Sequence, residues 1–524
     1  MENKIPDNWV ECKFGDVAKI HNGYAFETRD FRRDKGVPLI KQSQLNGDKV
    51  DLTKCVYLDE SFLVAKKDFV LKKGDVLIGM SGSVGKMCLY DLDFPALQNQ
   101  RTGKAVPYSE KLLNKKLFWY FLSTIESILL EKGKGLGVSN VSAEDIEDLV
   151  FNLPPLSEQQ RIVTKLDALF EKIESNKQHL DKIPKLLKRF RQSVLANAIS
   201  GKLTEDWRTK NNSIKSVNIQ ELSKERERLQ KENAKRKGQK TFSYNPPVEI
   251  ELGERTKGVD ELYELPENWN WVSLDSCVWS VSDGPHFSPK YVEKENGIAF
   301  ISSRNISYDN IDFSDAKYIS EEDYKEFIKR GKPENDDILL TKGGTTGIAH
   351  KVNTEIDFSI WVHVALLKLI KKFVNPNYFR DVLTSDFLYR QSQAQTHGVG
   401  NQDLGLTRMI FMTIPLPPLE EQKEIVHKVE QLFAFADKIE ARYTKAKTML
   451  DKLPQSILAK AFRGELLAQD PNDEPASVLL ERIKLEKEKL AAEKKGKKTK
   501  GYSIEETPVK IAAEKGVKYK KAKK

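Results

Sequence analysis

The stretch Leu153-Pro154-Pro155-Leu156-Ser157-Glu158-Gln159-Gln160-Arg161-Ile162-Val163 opens a long amphipathic run that closes at Ser200-Gly201-Lys202-Leu203. It returns 263 residues later as Leu416-Pro417-Pro418-Leu419-Glu420-Glu421-Gln422, running on to Arg463-Gly464-Glu465-Leu466. From Leu153 to Phe170 the two copies agree at 11 of 18 positions without a gap. An internal repeat of this length sets the architecture before any single element is assigned. The chain is a doubled object.

Each copy reads as one long helix. In the first, apolar residues fall at Ile162, Leu166, Leu169, Ile173, Leu180, Ile183, Leu187, Phe190 and Val194, in alternating steps of four and three with Asn176 filling the one missing position. The second keeps the register at Ile425, Val429, Leu432, Ala436, Ile439, Tyr443, Ala446, Leu450, Leu453 and Ile457. Two heptad seams in one chain predict an intramolecular coiled coil. Ser157 and Gln160 fit a capping box, and Gly201 fits the residue that stops a helix. Pro184 and Pro454 lie inside the two runs; each removes a backbone bond, so a kink is expected in both helices.

Outward from the helices, the chain divides into residues 1–152 (a globular unit), 153–208 (first helical spacer), 209–262 (a charged linker with one short exposed helix), 263–415 (a second globular unit), 416–467 (second spacer) and 468–524 (a basic, partly disordered tail). The first globular unit reads as mixed α/β. Short apolar runs at Val37–Ile40, Cys55–Leu58 and Asp75–Gly79 are bounded by Gly, Asn and Asp, and Leu112–Leu130 has helical spacing. The glycine-rich Gly133–Gly137 follows as a turn. The second unit repeats this framework loosely: Pro6-Asp7-Asn8-Trp9 returns as Pro266-Glu267-Asn268-Trp269, and Asp75–Ile78 as Asp337–Leu340. The fold class is therefore α+β, two α/β units separated by two long antiparallel helices in a pseudo-twofold repeat.

Composition narrows the function classes. At 524 residues with 39% hydrophobic and 31% charged content, the chain is a multidomain globular protein with much exposed helix. No apolar run is long enough to span a bilayer, and the N-terminus lacks the basic and apolar regions of a signal peptide. A cytoplasmic location follows. The four cysteines stand far apart, as free thiols do. Net charge is +9, but residues 471–524 alone hold 16 Lys and Arg against 9 Asp and Glu, so the body is nearly neutral. Charge alone does not assign a nucleic-acid partner.

Enzymatic motifs fail on inspection. Gly79–Lys86 (GMSGSVGK) resembles a phosphate-binding loop, but Met80 stands where the first glycine is needed and Met87 where Ser or Thr is needed. Asn245-Pro246-Pro247-Val248 lacks the aromatic residue that an amino-methyltransferase stacks on a flipped base. The seven histidines show no metal-ligand spacing, and no nucleophile–base set is apparent. The reading is of a non-catalytic chain without cofactor or metal of its own.

The polar residues after the shared strands carry more information. Lys41, Gln42, Ser43 and Gln44 in the first unit stand where Ser302, Ser303, Arg304 and Asn305 stand in the second. Gln98, Asn99, Gln100 and Arg101 form a similar cluster, and the glycine-rich turns add Ser81, Ser83 and Lys86 in the first unit and Lys342, Thr345 and Thr346 in the second. Gln, Asn and Arg can pair bidentately with base edges, and Lys, Ser and Thr reach bases or phosphates. These residues are the candidates for reading double-stranded DNA.

The paired blocks LPPLSEQQRIV and LPPLEEQKEIV, their endings, and GDVLIGMSGSVGK together resemble the specificity subunit of type I restriction–modification systems, in the right order along essentially the whole chain. The resemblance implies that the globular units are target recognition domains, each reading one half of an asymmetric bipartite DNA target. It implies two modification (methyltransferase) subunits docked on the helices and restriction subunits that complete the assembly. S-adenosylmethionine, ATP and Mg would belong to those partners. The 44 residues from Ser157 to Ser200 make about 66 Å of helix at 1.5 Å per residue, so the helices act as a ruler, and heptads inserted after Leu169 should lengthen the unread spacer. The near-neutral body predicts weak DNA binding by the chain alone. Two rival readings are a chain that itself methylates or cuts DNA, and a coiled-coil scaffold carrying two domains for ligands other than DNA.

Overall fold

A computed structural model describes residues 5–47, 49–81, 85–125, 141–250, 262–398 and 402–499. The chain divides into two units: Met1–Lys177 with Lys447–Lys524, and Gln178–Ala446. Each long helical run therefore contributes its beginning to one unit and its end to the other.

In unit 1, β1 (Val10–Lys13) pairs antiparallel with β10 (Val150–Leu153), tying the first strand of the globular part to the last. Between them lie β2 (Ala18–Asn22), β3 (Val37–Ile40), β4 (Val56–Leu58), β5 (Val70–Leu71), β6 (Val76–Gly79), β7 (Met87–Leu89), β8 (Ala96–Gln98) and β9 (Thr102–Pro107). They form two four-stranded sheets, ordered β4-β3-β8-β5 and β2-β9-β6-β7. Only β3 and β8 run parallel, with Leu97 opposite Leu39 and Gln98 opposite Ile40. All four residues of β3 and of β6 are buried, so these strands read as apolar runs rather than alternating ones. Helix α1 (Lys115–Thr124) covers a core of Phe14, Phe118, Phe121 and Phe151.

Unit 2 repeats the plan. Strand β11 (Asn270–Ser273) pairs antiparallel with β19 (Thr413–Leu416). Strands β14 (Lys317–Ile319), β13 (Ile298–Ile301) and β17 (Phe358–Ile360) form one sheet in that order, with β13 and β17 parallel. The other sheet is ordered β12 (Val278–Asp283), β18 (Val364–Leu369), β15 (Ile338–Thr341) and β16 (Ala349–Lys351).

The helical repeat motif has a packing explanation. Its glutamate, Glu158 or Glu421, is buried and accepts the indole N–H of Trp9 at 2.8 Å or of Trp269 at 2.9 Å. Its glutamine closes a second lock: Gln159 Oε1 accepts from the Asn114 amide at 3.0 Å, and Gln422 Oε1 from Asn375 at 2.7 Å. Asn114 and Asn375 are the N-caps of α1 and of α5 (Pro376–Thr384). The glutamine amides return to the Pro154 and Pro417 carbonyls at 3.1 and 2.8 Å. Leu-Pro-Pro-Leu-x-Glu-Gln is thus the bolt between each long helix and its globular unit.

The other end of each helix is fastened just as specifically. Gly201 (φ 77°) and Gly464 (φ 74°) are left-handed, and a Cβ there would stand 2.5 Å from Pro266 Cγ or 2.2 Å from Pro6 Cγ. Those prolines open the repeated Pro-x-Asn-Trp segments. The end of the first helical run therefore docks on unit 2, and the end of the second on unit 1.

Heptad pairing is present within each unit. In unit 1, Ile162, Val163 and Leu166 of α2 (Leu156–Leu180) pack with Leu458, Ala461 and Phe462 of α6 (Leu419–Phe462). In unit 2, Val194, Leu195 and Ala198 of α3 (Ile183–Ile199) pack with Ile425, Val426 and Val429. The sense is antiparallel within each unit: Asn152 donates to the Phe462 carbonyl and Lys177 pairs with Asp451 at 3.4 Å in unit 1, and Arg191 pairs with Asp437 at 2.7 Å and Lys428 donates to the Leu203 carbonyl in unit 2.

Several expectations change. Pro184 does not kink a continuous helix: the run breaks at Asp181-Lys182, and Pro184 sits in the first turn of α3, where no N–H is required. Pro454 lies inside an unbroken α6, and the seam shifts around it: Leu453, just before it, is exposed, and Leu458, Ala461 and Phe462, after it, are buried. The Ser157/Gln160 capping box does not form, because Ser157 Oγ donates to Asp473 and Gln160 Oε1 accepts from Asn114 Nδ2. Helix α1 spans Lys115–Thr124, starting after Leu112 and closing at Ile125 instead of running on without a break; residues 126–130 and the Gly133–Gly137 turn lie outside those described.

The charged linker is not a linker. Helix α4 (Ile219–Arg236) buries Leu222, Arg226 and Ala234 against unit 2. Arg226, 2% exposed, forms an ion pair with Asp275 at 3.1 Å and donates to the Asp275, Val278 and Asn245 carbonyls. Much of the tail also folds: α7 (Ala476–Thr499) buries Leu479, Leu480 and Ile483 in the core of unit 1. Lys487 Nζ donates at 2.9 Å to the Gly15 carbonyl, the counterpart of the Asp275 carbonyl in unit 2. The tail stretch Ala492–Lys498 resembles Ala234–Lys240 of the linker in sequence, and the helices that carry them dock on matching carbonyls. No helix among the described residues is long and apolar enough to cross a membrane.

Candidate nucleic-acid interface

The parallel strand pair organises the polar cluster of each unit. In unit 1 the loops after β3 and β8 leave the sheet side by side, joined by Asn99 N donating to the Ile40 carbonyl at 3.0 Å. In unit 2, Trp361 N donates to the Ile301 carbonyl at 2.8 Å in the same way. A third loop joins each cluster: Met80 N bonds the Arg101 carbonyl at 3.1 Å, and Lys342 N bonds the His363 carbonyl at 2.8 Å. Gly23 and Gly284 pass so close that a Cβ would meet the backbone oxygens of Asn99 and Ile360 at 2.2 and 1.8 Å. The backbone frame is therefore the same, and only the side chains on it differ.

The predicted residues separate into two groups on this frame. Gln44 is buried, accepting from Lys41 N at 3.1 Å and donating to the Lys54 carbonyl. Asn305 does the same work, accepting from Ser302 N and Oγ at 3.0 and 2.8 Å and donating to Asp312 and Asp315 carbonyls. Gln98, 1% exposed, spends its amide N–H groups on the His21 and Thr102 carbonyls. Asn99 is buried, its Oδ1 turned to the Arg101 amide. Thr346 is buried against Thr396 and Gln393. These five are buried and hold loops; Gln98 Oε1 has no partner but is shielded from solvent.

Lys342 is also reassigned. Its ammonium is buried between Asp283 at 3.3 Å and Asp403 at 3.4 Å, so it fastens two loops instead of reaching solvent. Asp283 takes a second cation, Arg330, at 2.7 Å.

The other group faces outward. Ser43, Lys86, Gln100 and Arg101 are exposed in unit 1, and Arg304 and Thr345 in unit 2. Lys41, Ser81, Ser302 and Ser303 are half-buried, with Lys41 Nζ resting 4.2 Å from the Phe31 ring centre. Gln42 keeps a side-chain oxygen that is shielded from solvent and has no partner. Ser83 lies outside the described residues.

Three residues were missed. Trp361, Val362 and His363 occupy the places of Asn99, Gln100 and Arg101, as the matched backbone bonds show. Carrying the 262-residue offset of the neighbouring glycine-rich turns forward by eighteen residues would have found them. The Trp361 and His363 rings lie 4.5 Å apart, and the Trp361 indole N–H has no partner. Burial, with the nearby Lys342 charge second, holds the His363 imidazole below its usual range, favouring the neutral ring. Unit 1 thus presents the Gln100 amide and the Arg101 guanidinium where unit 2 has Val362 and a His363 ring favoured neutral, with the Trp361 indole at the place of the buried Asn99.

Comparison with known proteins agrees with this doubled plan. A sequence model of the type I restriction modification DNA specificity domain matches twice, over residues 6–185 and 266–447. The chain is 30% identical over 514 residues to the type I restriction enzyme EcoBI specificity subunit of Escherichia coli, covering 94% of this chain and 95% of that one. It is 26% identical to the EcoKI specificity subunit of Escherichia coli K12, over 94% and 99% of the two chains. Among solved structures it shares its fold with the HsdS subunit of Thermoanaerobacter tengcongensis (TM-score 0.52, 18% identity, 88% of this chain and 98% of that). A chain from a study of type I R-M complex assembly gives a TM-score of 0.58 at 17% identity, covering 88% and 100%. With two matched domains spanning most of its length and relatives aligned from end to end, the chain belongs to the DNA specificity subunits of type I restriction–modification systems.

Proposed function

We propose that each unit reads one half of a bipartite, asymmetric DNA target through the loops after its parallel strand pair. The observation that carries this reading is the pair of superposable backbone frames bearing different polar side chains. Gln42, Ser43, Gln100 and Arg101 supply the readout in unit 1, and Ser303, Arg304, Trp361 and His363 in unit 2. Arg101 has the fork geometry for the O6 and N7 edge of guanine, and a neutral His363 can donate to or accept from a base edge. The chain itself is a non-catalytic subunit, with double-stranded DNA as ligand. The exposed faces of the long helices dock two modification subunits, and restriction subunits complete the assembly.

The test is to give unit 1 the side chains of unit 2. Q100V/R101H, expressed with the cognate modification subunits, should change the methylated sequence in one half-site and leave the other intact. Genome-wide mapping of methylated bases reads this out. An unchanged target, or loss of both halves in a folded complex, would contradict the reading. The helices set the half-site separation, so a heptad inserted after Leu169 with a matching one in α6 should lengthen the unread spacer in the same maps.

A further inference from the structure

Outside the reading loops, unit 2 carries a groove of about 320 Å³ between the last turn of α4 and the segment Lys325–Glu334. Seven cationic side chains line it against a single carboxylate, Glu334. Lys368 is spent, with its ammonium 2.8 Å from Glu334 and 2.6 Å from Asp337. Lys325, Lys329 and Lys332 pair with Glu321, Glu326 and Asp357, all in exposed bridges of the kind that contribute little and exchange readily.

The two cations from α4 differ. Arg236 and Lys237 pair with no carboxylate among the described residues. Arg236 makes a 3.4 Å contact with Asn233 Oδ1, and Lys237 Nζ donates to the Lys329 carbonyl at 2.6 Å. They are held in place because α4 is bolted to unit 2 by the buried Arg226–Asp275 pair. On the other wall, Arg330 connects the groove to the reading loops: its Nε donates to the Asp283 carbonyl at 3.0 Å, immediately before Gly284. A surface groove of unit 1 between Ser109–Leu112 and Arg482–Lys489 carries three cations and two carboxylates, a much smaller excess.

We propose that this groove holds backbone phosphates of the duplex flanking the half-site read by unit 2, with Arg236 and Lys237 as the principal contacts. The inference rests on the DNA-reading function proposed above and adds a positioning contact from a segment that the repeat does not need for its helices. Phosphate contacts fix register without carrying sequence information.

The test uses the full chain assembled with its modification subunits and a fluorescent duplex, titrated over a salt series. Two lost phosphate contacts should reduce the slope of log K against log salt by about 1.8, at about 0.9 per contact. R236E/K237E should show at least this change, R236Q/K237Q should show it without charge reversal, and both should weaken cognate and scrambled duplexes alike. The methylated sequence should not change, and K111E/K489E in unit 1 should leave the slope as it was. An unchanged slope in both α4 variants, or a loss confined to the cognate sequence, overturns the inference. An unmutated complex that binds cognate and scrambled duplexes equally overturns the reading function itself, a result distinct from an unchanged slope.

Discussion

Replacing Arg226 by Met tests whether the segment between the repeats is structural. The guanidinium is 2% exposed and makes a two-pronged contact with Asp275, at 3.1 and 3.2 Å, in a pocket where Asp275 is itself only 6% exposed. Methionine fills much of the volume but leaves the carboxylate with the Val248 amide, at 3.1 Å, as its remaining donor. Breaking one side of a buried ion pair costs about 3–5 kcal/mol, most of it the unpaired charge. R226M should lower the denaturation free energy of unit 2 by that amount. The double variant R226M/D275N, which removes the charge, should recover a large part, although the three carbonyls served by Arg226 stay short of a donor. Urea denaturation monitored by hydrogen exchange separates the effects by region. Protection should fall across Ile219–Arg236 and Asn270–Asp283 and remain across Val10–Lys13 and Val150–Leu153. A cost below about 1 kcal/mol, or a double variant no better than the single one, would refute the reasoning.

Two further changes probe the junctions and the core. G464A forces alanine into a left-handed conformation, which costs about 1–2 kcal/mol, and drives a methyl group to 2.2 Å from Pro6 Cγ. It should destabilise unit 1 by more than the conformational cost alone, measured as a lowered midpoint, and G201A should do the same to unit 2. In unit 2, burial raises the Asp381 carboxyl from 3.8 to about 6, with Arg380 only partly opposing it, and its Oδ2 has no partner. The folded state thus binds this proton more tightly than the unfolded state, so the contribution to stability is present below pH 4 and is lost as pH rises to 6. The loss is on the order of 3 kcal/mol at 1.36 kcal/mol per unit. D381N should remove that decline and stabilise unit 2 at neutral pH; a variant with the same pH profile as the parent would count against a buried, charge-penalised Asp381.

The doubling was legible because the residues that enforce it are obligatory in type. A long side chain ending in an acceptor must receive the indole N–H of Trp9 or Trp269, a side-chain amide both accepts from the Asn114 or Asn375 amide and donates to a proline carbonyl, and only glycine fits against Pro6 or Pro266. A segment that must meet all these demands twice is spelled almost the same way twice. The linker escaped because its anchor is one buried arginine amid exposed Lys and Glu, and a composition that is charged everywhere hides the single charge that faces inward. The reading residues were half legible for a related reason. A glutamine or asparagine after a strand serves equally to close its own loop or to meet a ligand, and residue type cannot separate the two. Gln44 and Asn305 stand at matching positions in both units and hold the same loop, whereas Gln100 and Arg101 differ from Val362 and His363 at theirs. Disagreement alone does not mark a ligand-facing position, since Gln98 and Asn99 hold the frame although Ile360 and Trp361 stand opposite them; the side chain must also be exposed. Ser43, Gln100 and Arg101 meet both conditions, opposite Arg304, Val362 and His363, and under the proposed function these are the positions where the two units would diverge in what they read.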